Sequence, residues 1–469
     1  MQGLFFNRGI VVRRGAHLAA ERSPSGSEGG GARRCQMARA WPRAAQQKLI
    51  AYLDFYKTVK SVMVMTLLSY LRELGFIKDC TNFDALEKLL EEQQQTFYVG
   101  TDLTADSLHA GHLMPLMFMR KVLARGHRVI IILGGGTTKI GDPSDKNEMR
   151  KMLSNEQIAE NKAGIKKCLS QIFGRNLETQ PESEFVDNLM IVDNAKWLLD
   201  INYIWFLREI GTCFTINKMI NMEIVRRRLD NNIPYTFFEF NYMLIQGYDF
   251  YYLNNNYGCN IQVGGSDQWG NIIQGCELIR RKAVDSRKVA TENEVNVFGI
   301  TLNLLTKSDG TKMGKTAGGA VWLRADKLSS YDYFQYFRDC ADDDVIKLLK
   351  IFTDLPLEQI EEYAKLSGKE LNAVKEILAY EATKICRGEE EANKARNREV
   401  TEEIKVNNGD NIVEVLVANG LCKSNGEARR LIEGKGVKFN GEVVDKTFTI
   451  TTAGDLMIGK KKKVSVRLG

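Results

Sequence analysis

Two of the chain's four histidines stand three residues apart in the turn His109-Ala110-Gly111-His112. The turn follows an apolar, strand-like segment, Thr96-Phe97-Tyr98-Val99, and leads into a helical pattern of Leu113, Leu116, Met117, Met119, Val122 and Leu123. A strand that passes to a helix through a Gly-bearing loop aims backbone N–H groups and the helix dipole at one point, where a nucleotide's phosphates can sit. Neutral imidazoles at that mouth add uncharged hydrogen-bond donors. An HxxH pair also fits a fragment of a metal site, but no Cys, Asp or Glu completes a ligand set at metal spacing nearby. A second group, Tyr242, Gln246 and Asp249, falls at i, i+4 and i+7 on one face of a predicted helix. Each alone reads as core packing; three polar groups on an otherwise apolar face call for a polar partner.

The elements that position these groups alternate as in a doubly wound α/β sheet. Strand Phe97–Val99 is followed by a helix from about Leu113 to Arg125 and by the continuous apolar run Val129–Leu133, as expected of a strand buried on both faces. That run ends in Gly134-Gly135-Gly136, a second place where backbone can approach a ligand closely. Strand Met190–Val192, helices through residue 232, a helix Phe237–Tyr252 and the strand ending in Gly264-Gly265-Ser266-Asp267-Gln268 complete the unit. Strand carboxyl ends are where open α/β sheets bind ligands. Upstream, Met65 to Leu90 reads as two amphipathic helices broken around Lys78–Asn82. Downstream, charged-face helices run from Tyr331 to about Arg398, a polar stretch Glu399–Asp410 reads as a linker, and the last sixty residues suggest two short helices and short strands.

Composition bounds the class. The 469 residues are 44% hydrophobic with net charge +6, enough for two to four domains and too mild a charge to argue for nucleic acid by itself. Nine cysteines without a CxxC pair suggest reduced thiols in a reducing compartment. No uncharged apolar run of membrane-spanning length occurs, so no membrane partner is expected.

Five segments, in order, carry a resemblance. They are Tyr98-x-Gly100-x-Asp102-x-Thr104 running on to His109-Ala110-Gly111-His112; Ile140-Gly141-Asp142-Pro143-Ser144; Tyr242-x-x-x-Gln246-x-Tyr248-Asp249; Gln262-x-Gly264-Gly265-Ser266-Asp267-Gln268; and Lys312-Met313-Gly314-Lys315-Thr316. From about residue 66 onward the chain resembles the bacterial-type tyrosyl-tRNA synthetases, class I aminoacyl-tRNA synthetases whose HIGH and KMSKS motifs correspond to His109–His112 and Lys312–Thr316. The resemblance implies a Rossmann-like catalytic domain over 63–325, an α-helical anticodon-side domain over 326–400, and a linker with an S4-like RNA-binding domain over 401–469. It implies a tyrosine–tRNA ligase that forms tyrosyl-adenylate from ATP, with Mg2+ accompanying the nucleotide and no dedicated protein metal site, acting as a homodimer on tRNA(Tyr). In that reading Thr104, His109, His112, Lys312, Lys315 and Thr316 serve the phosphates and ribose. Tyr98 and Asp249 bind the phenol, Asp142, Tyr242 and Gln246 the α-ammonium, and Gln262 forms a further polar wall. Gly100, Asp102, Gly111, Gly265, Asp267, Gln268, Met313 and Lys315 hold ATP. Carboxylate attack on an α-phosphate needs no proton shuttled to its leaving group, so positioning and charge stabilisation suffice.

There are departures from the family pattern. Thr101 and Leu103 replace Phe and Pro in a Phe-Asp-Pro-Thr segment, and Asp145 replaces a Gly before Lys146 and Arg150, the implied cations for the tRNA acceptor end. Pro115 is tolerable only if it lies in the first turn of its helix. In the tail, Ser424 to Gly441 resembles the S4 module, with Arg429, Arg430, Lys435 and Lys438 as backbone-directed charge. A catalytically silent paralogue partnering structural RNA, and a tryptophan-charging relative lacking the Tyr98/Asp249 pair, are the competing readings.

The first fifty residues differ from the rest, with eight arginines against Glu21 and Glu28. They read either as an organellar transit peptide or as an extension upstream of the true start, in both cases outside the fold to about residue 62. The compartment is accordingly cytoplasmic, or the mitochondrial matrix if the leader is genuine.

Overall fold

The computed structural model describes residues 65–144, 152–316, 319–397, 403–459 and 462–468. The leader, Lys146 and Arg150 lie outside the described residues. The chain divides at Met65, and the described elements belong to the unit Thr66–Gly469.

Six strands build the central sheet: β1 (Ile77–Cys80), β2 (Thr96–Asp102), β3 (Arg128–Gly134), β4 (Leu189–Asp193), β5 (Ile261–Gly265) and β6 (Phe298–Leu302), in spatial order β1-β6-β5-β2-β3-β4. All neighbours are parallel except β1, which runs antiparallel to β6. The chain steps outward from β2 through β3 to β4, then crosses back to β5 on the other side of β2. The carboxyl ends of β2 and β5 therefore flank the topological switch point. Residues 129–133 of β3 are at most 2% exposed. Such burial contributes about 1.5–3 kcal/mol for each large aliphatic side chain.

Alternate residues face opposite layers. Phe97, Val99, Val129, Ile131 and Leu133 join a core with helices α1 (Leu67–Glu73), α2 (Phe83–Glu92), α3 (Ala110–Ala124) and α4 (Asn155–Phe173). Tyr98, Ile130, Ile132, Met190 and Val192 face the opposite core. That side is covered by α5 (Ala195–Leu198), α6 (Glu223–Asp230), α7 (Phe237–Phe240), α8 (Tyr242–Tyr257) and α9 (Trp269–Asp285). The first core extends into a helical layer of α10 (Ser330–Arg338), α11 (Val345–Phe352), α12 (Leu371–Arg387) and α13 (Glu389–Asn397). The C-terminal residues have a core of their own around helices Ile412–Ala418 and Asn425–Glu433 and a five-stranded sheet. No helix among the described residues is long and apolar enough to cross a membrane.

Three local expectations are corrected. The supposed break between two N-terminal helices is the edge strand β1, whose Lys78 and Asp79 are exposed and carry no alternating apolar signal; pairing with β6 makes it a strand. Within the polar stretch expected as a linker, Glu403–Val406 forms a strand parallel to residues 465–468. Helix α3 begins at Ala110, so Pro115 is its sixth residue rather than a first-turn residue. Its missing N–H leaves the carbonyl of Gly111, one turn back, without the usual helical donor.

Candidate active site at the switch point

The histidine turn is a helix cap. His109 is the N-cap of α3: its Nδ1 accepts from the Gly111 N–H at 3.1 Å, and the His109 N–H donates to Nδ1 of His112 at 3.3 Å. Two imidazoles thus form the reciprocal arrangement usually made by Ser/Thr and Glu/Gln. Their centroids are 3.9 Å apart with planes at 30°. With both Nδ1 atoms accepting, each neutral ring keeps its proton on Nε2, a donor at the helix N-terminus. Thr104 is exposed on the loop ahead. That loop is anchored by the Leu103 N–H donating to Thr138 Oγ1 at 2.7 Å and by Asn161 Nδ2 donating to the Leu103 carbonyl at 2.7 Å.

The lysine loop is brought to this turn by backbone. Gly314 has φ +101°, and a Cβ there would lie 2.8 Å from the Gly111 nitrogen. Only glycine permits both that conformation and that approach. Lys312 is exposed; the Met313 side chain is buried in the first core; Lys315–Thr316 pairs as a short strand with Gly319–Ala320.

Beneath the carboxyl ends of the strands lies a buried polar pocket on the opposite face. Tyr98 and Gln262 are register neighbours on β2 and β5. The Tyr98 hydroxyl and Gln262 Oε1 are buried without a hydrogen-bond partner among the described residues. Asp249 is buried as well: Oδ2 accepts from Asn194 Nδ2 at 2.9 Å and Oδ1 from Trp197 Nε1 at 2.7 Å. Burial pushes its carboxyl up to about 7 despite those two donors. Burial, and then the Asp249 charge, hold the Tyr98 phenol well above its ordinary value.

Tyr242 donates to Asp102 Oδ2 at 3.2 Å, and Thr137 Oγ1 donates to Asp102 Oδ1 at 2.7 Å. Burial and the charges of Asp102, Asp142 and Asp249 together raise the Tyr242 phenol well above its usual range. Three carboxylates around one phenol give the pocket a negative field that suits an ammonium. Asp142, raised by burial, accepts from the Ser144 N–H and from Gln268 Nε2, each at 2.8 Å. Gln246 Oε1 accepts from Asn271 Nδ2 at 2.9 Å, and Asn271 Nδ2 also donates to Gln268 Oε1 at 3.2 Å.

Gly100 is exposed two residues before the end of β2, where the nearest atom to a notional Cβ, outside its chain neighbours, is Ile132 Cβ at 3.9 Å. A Cβ on Gly265 would meet Asp267 Oδ1 at 2.4 Å. The Gly134–Gly136 run is closely packed: added Cβ atoms would strike Thr137 and Asp102, Asp193, and Leu198 in turn. Towards the C-terminus, Arg429, Arg430, Lys435 and Lys438 are all exposed: the arginines on helix Asn425–Glu433, Lys435 in the turn after it, and Lys438 on the strand Val437–Phe439.

Asn194, Trp197 and Thr137 join the site from outside the sequence motifs, and Asn271, three residues past Gln268, gains its role from its bonds to Gln246 and Gln268. Asn194 immediately follows β4, a strand end where such a residue could have been sought. Trp197 carried no signal, because its partner is fifty-two residues away.

A family model described as tRNA synthetases class I (W and Y) matches residues 90–401, and an S4 domain model matches 412–456. The tyrosine–tRNA ligase of Clostridium botulinum (strain Alaska E43 / Type E3) is 43% identical over 416 residues, covering 84% of this chain and 97% of that protein. That of Rickettsia felis is 43% identical over 420 residues, covering 84% and 98%. The crystal structure of a C-terminally truncated Coccidioides posadasii mitochondrial tyrosyl-tRNA synthetase superposes with TM-score 0.62 at 30% identity, over 76% of this chain and 98% of that one.

Proposed function

The chain belongs to the class I tRNA synthetases of the tryptophan and tyrosine group, and on that premise we propose that it is a tyrosine–tRNA ligase using the site at the switch point. It activates L-tyrosine with ATP to tyrosyl-adenylate and pyrophosphate, then transfers the tyrosyl group to the 3′ end of tRNA(Tyr). The observation that carries the amino-acid specificity is the pairing of Tyr98, a buried hydroxyl without a protein partner among the described residues, with the buried Asp249 carboxylate. Left without a substrate hydroxyl, such groups strongly disfavour phenylalanine, by about 10⁴–10⁵-fold in sites of this kind.

Asp142, Tyr242 and Gln246 receive the ammonium, with Gln262 as a polar wall. Gly100, Asp102, Gly111, Gly265, Asp267 and Gln268 border the adenosine. The substrate carboxylate oxygen bonds to the α-phosphorus as the bond to the bridging oxygen breaks, and pyrophosphate leaves with that electron pair. Thr104 and the Nε2–H donors of His109 and His112 meet the phosphates and ribose. Lys312, Lys315 and Thr316 close over the leaving pyrophosphate, and the buried Met313 anchors their loop. Mg2+ enters with ATP and screens its charge; we assign it to the nucleotide rather than to protein ligands.

Arg429, Arg430, Lys435 and Lys438 supply phosphate contacts for tRNA, with Lys146 and Arg150 at the acceptor end. The homodimer reading is supported by large apolar side chains left exposed between residues 199 and 237: Leu199, Tyr203, Ile204, Ile216, Leu229 and Phe237 are each more than half exposed. The catalytic body has its 43% identical relatives among bacteria, which favours the cytoplasm unless the leader directs it to the mitochondrial matrix. The mature N-terminal sequence of the native protein decides that. Tyrosine-dependent ATP–pyrophosphate exchange, lost on Lys315→Ala and on His109→Ala, is the expected result; no exchange by the unmutated protein refutes the reading.

A further inference from the structure

Residues 321–328 run as a strap behind the histidine turn. The Ala110 N–H donates to the Val321 carbonyl at 2.8 Å, and the Leu323 N–H to the Leu108 carbonyl at 2.8 Å. The Arg324 N–H donates to Ser107 Oγ at 3.3 Å, and His109 and Trp322 form an antiparallel bridge. Arg324 Nη1 donates to the Asp106 carbonyl at 3.0 Å, and Lys327 Nζ lies 2.7 Å from Asp106 Oδ1. At its other end the strap continues from the lysine loop, with the Val321 N–H donating to the Gly314 carbonyl at 3.0 Å. One short segment thus touches every residue from Asp106 to Ala110 and also Gly314.

The strap is itself held from the helical layer. Arg387, at the end of α12 and 8% exposed, donates to the carbonyls of Trp322 at 3.0 Å, Leu323 at 3.1 Å and Leu328 at 2.6 Å. It also donates to Ser330 Oγ at 3.3 Å, and its guanidinium stands 4.4 Å from the Tyr333 ring centroid. Glu391, the carboxylate whose charge acts on it, is bonded instead to the Ser330 hydroxyl at 2.6 Å. A planar fork that reaches three carbonyls fixes a backbone path in a way a single ammonium cannot. Its place behind the strap leaves it no contact with a nucleotide at the switch point.

We propose that Arg387 is a positioning residue for amino-acid activation, holding the strap 321–328 so that the His109 turn and the Lys312–Thr316 loop face the same phosphates. The inference rests on the ligase reading. The tyrosine pocket lies on the opposite face of the sheet, so the consequence is selective for ATP. Misplacement of a reacting group by about 1 Å costs on the order of 10²-fold in rate.

The test compares the full-length protein with Arg387→Gln, Arg387→Lys and Arg324→Gln. Arg387→Gln is expected to lower ATP-dependent exchange by about ten- to a hundredfold, with the loss in kcat and in KM for ATP. Tyrosine binding by equilibrium dialysis stays within about twofold, and Arg387→Lys recovers part of the loss. Hydrogen exchange at the Ala110 and Leu323 amides accelerates in Arg387→Gln. Arg324→Gln, which loosens the strap from the loop side, shifts the same ATP parameters. Equal losses for tyrosine and ATP, or unchanged ATP kinetics in both Gln variants, overturn the proposal. Should Arg387→Gln not fold, Arg324→Gln decides by the same criterion. Should the unmutated protein show no exchange, the ligase reading fails, and the strap is judged by amide protection at Ala110: faster exchange supports it, unchanged exchange overturns it.

Discussion

The two halves of the proposed site, one assigned to the amino acid and one to the phosphates, are built on different terms. The amino-acid half is buried under the sheet, and its polar groups are held by side chains distant in the sequence: Asp249 by Asn194 and Trp197, Tyr242 by Asp102, and Gln246 by Asn271. The phosphate half is a surface turn whose histidines are fixed by their own backbone, closed by a loop that meets it through two glycines. A buried, preorganised polar pocket suits discrimination, because a wrong ligand leaves groups unpaired. An exposed turn beside a glycine contact suits a step in which charge moves and product leaves. Selection and catalysis are thereby separable by mutation.

Asp249→Ala carries the largest expected effect. Tyrosine-dependent exchange falls by about 10⁴-fold, while ATP binding measured without tyrosine is nearly unchanged. Comparable losses for both ligands would erase the distinction between the halves. His109→Asn comes next and sharpens the phosphate side. Asn is a good N-cap and can accept from the Gly111 N–H, so thermal stability should hold. Losing the imidazole Nε2–H should still cost about 10²–10³-fold in kcat, with tyrosine affinity intact. A stability loss equal to that of His109→Gly would show that the ring's main work is capping. Gly314→Ala should lower kcat by about 10²-fold, since its Cβ would meet the Gly111 nitrogen at 2.8 Å. Unchanged exchange kinetics would mean that the approach of the loop to the turn is not used.

The phosphate half was more legible in the sequence than the amino-acid half, for a physical reason. His109, Gly111 and His112 act within four residues, so local pattern describes them, although a cap made of two imidazoles was not anticipated. Tyr242, Gln246 and Asp249 were legible as one helix face, and α8 does carry all three. Their partners Asp102, Asn271, Asn194 and Trp197 are 140, 25, 55 and 52 residues away in the chain and follow only from the fold. The parallel strands were legible because their burial on both faces writes continuous apolar runs. β1 was not, since a polar edge strand depends on the neighbour that pairs with it; Glu403–Val406 does alternate, with Ile404 and Val406 buried, but four residues inside a polar stretch are too short a pattern to stand out. The apolar pattern marks the α3 start only from Leu113, whereas the His109 cap starts the helix at Ala110 and so carries Pro115 beyond the first turn.

The smallest expected effect is a pH dependence confined to one half. Burial raises Asp249 from 3.8 to about 7, so its carboxyl is largely protonated below neutrality and ionised above. For stability, the protonated form is the one that burial favours. The advantage is fully present below the ordinary value and lost as pH rises through about 7, a change of at most about 4 kcal/mol. For binding the sign is opposite: a substrate phenol donates to the ionised carboxylate, so tyrosine affinity falls by up to about tenfold per pH unit as pH drops below 7. Asp249→Asn should bind tyrosine weakly and flatten that dependence. Equilibrium dialysis of tyrosine without ATP, from about pH 5.5 to 7.5, isolates the pocket from titration of the nucleotide. A flat profile in the unmutated protein would remove the Asp249 carboxylate from phenol recognition and leave Tyr98 to read the hydroxyl alone.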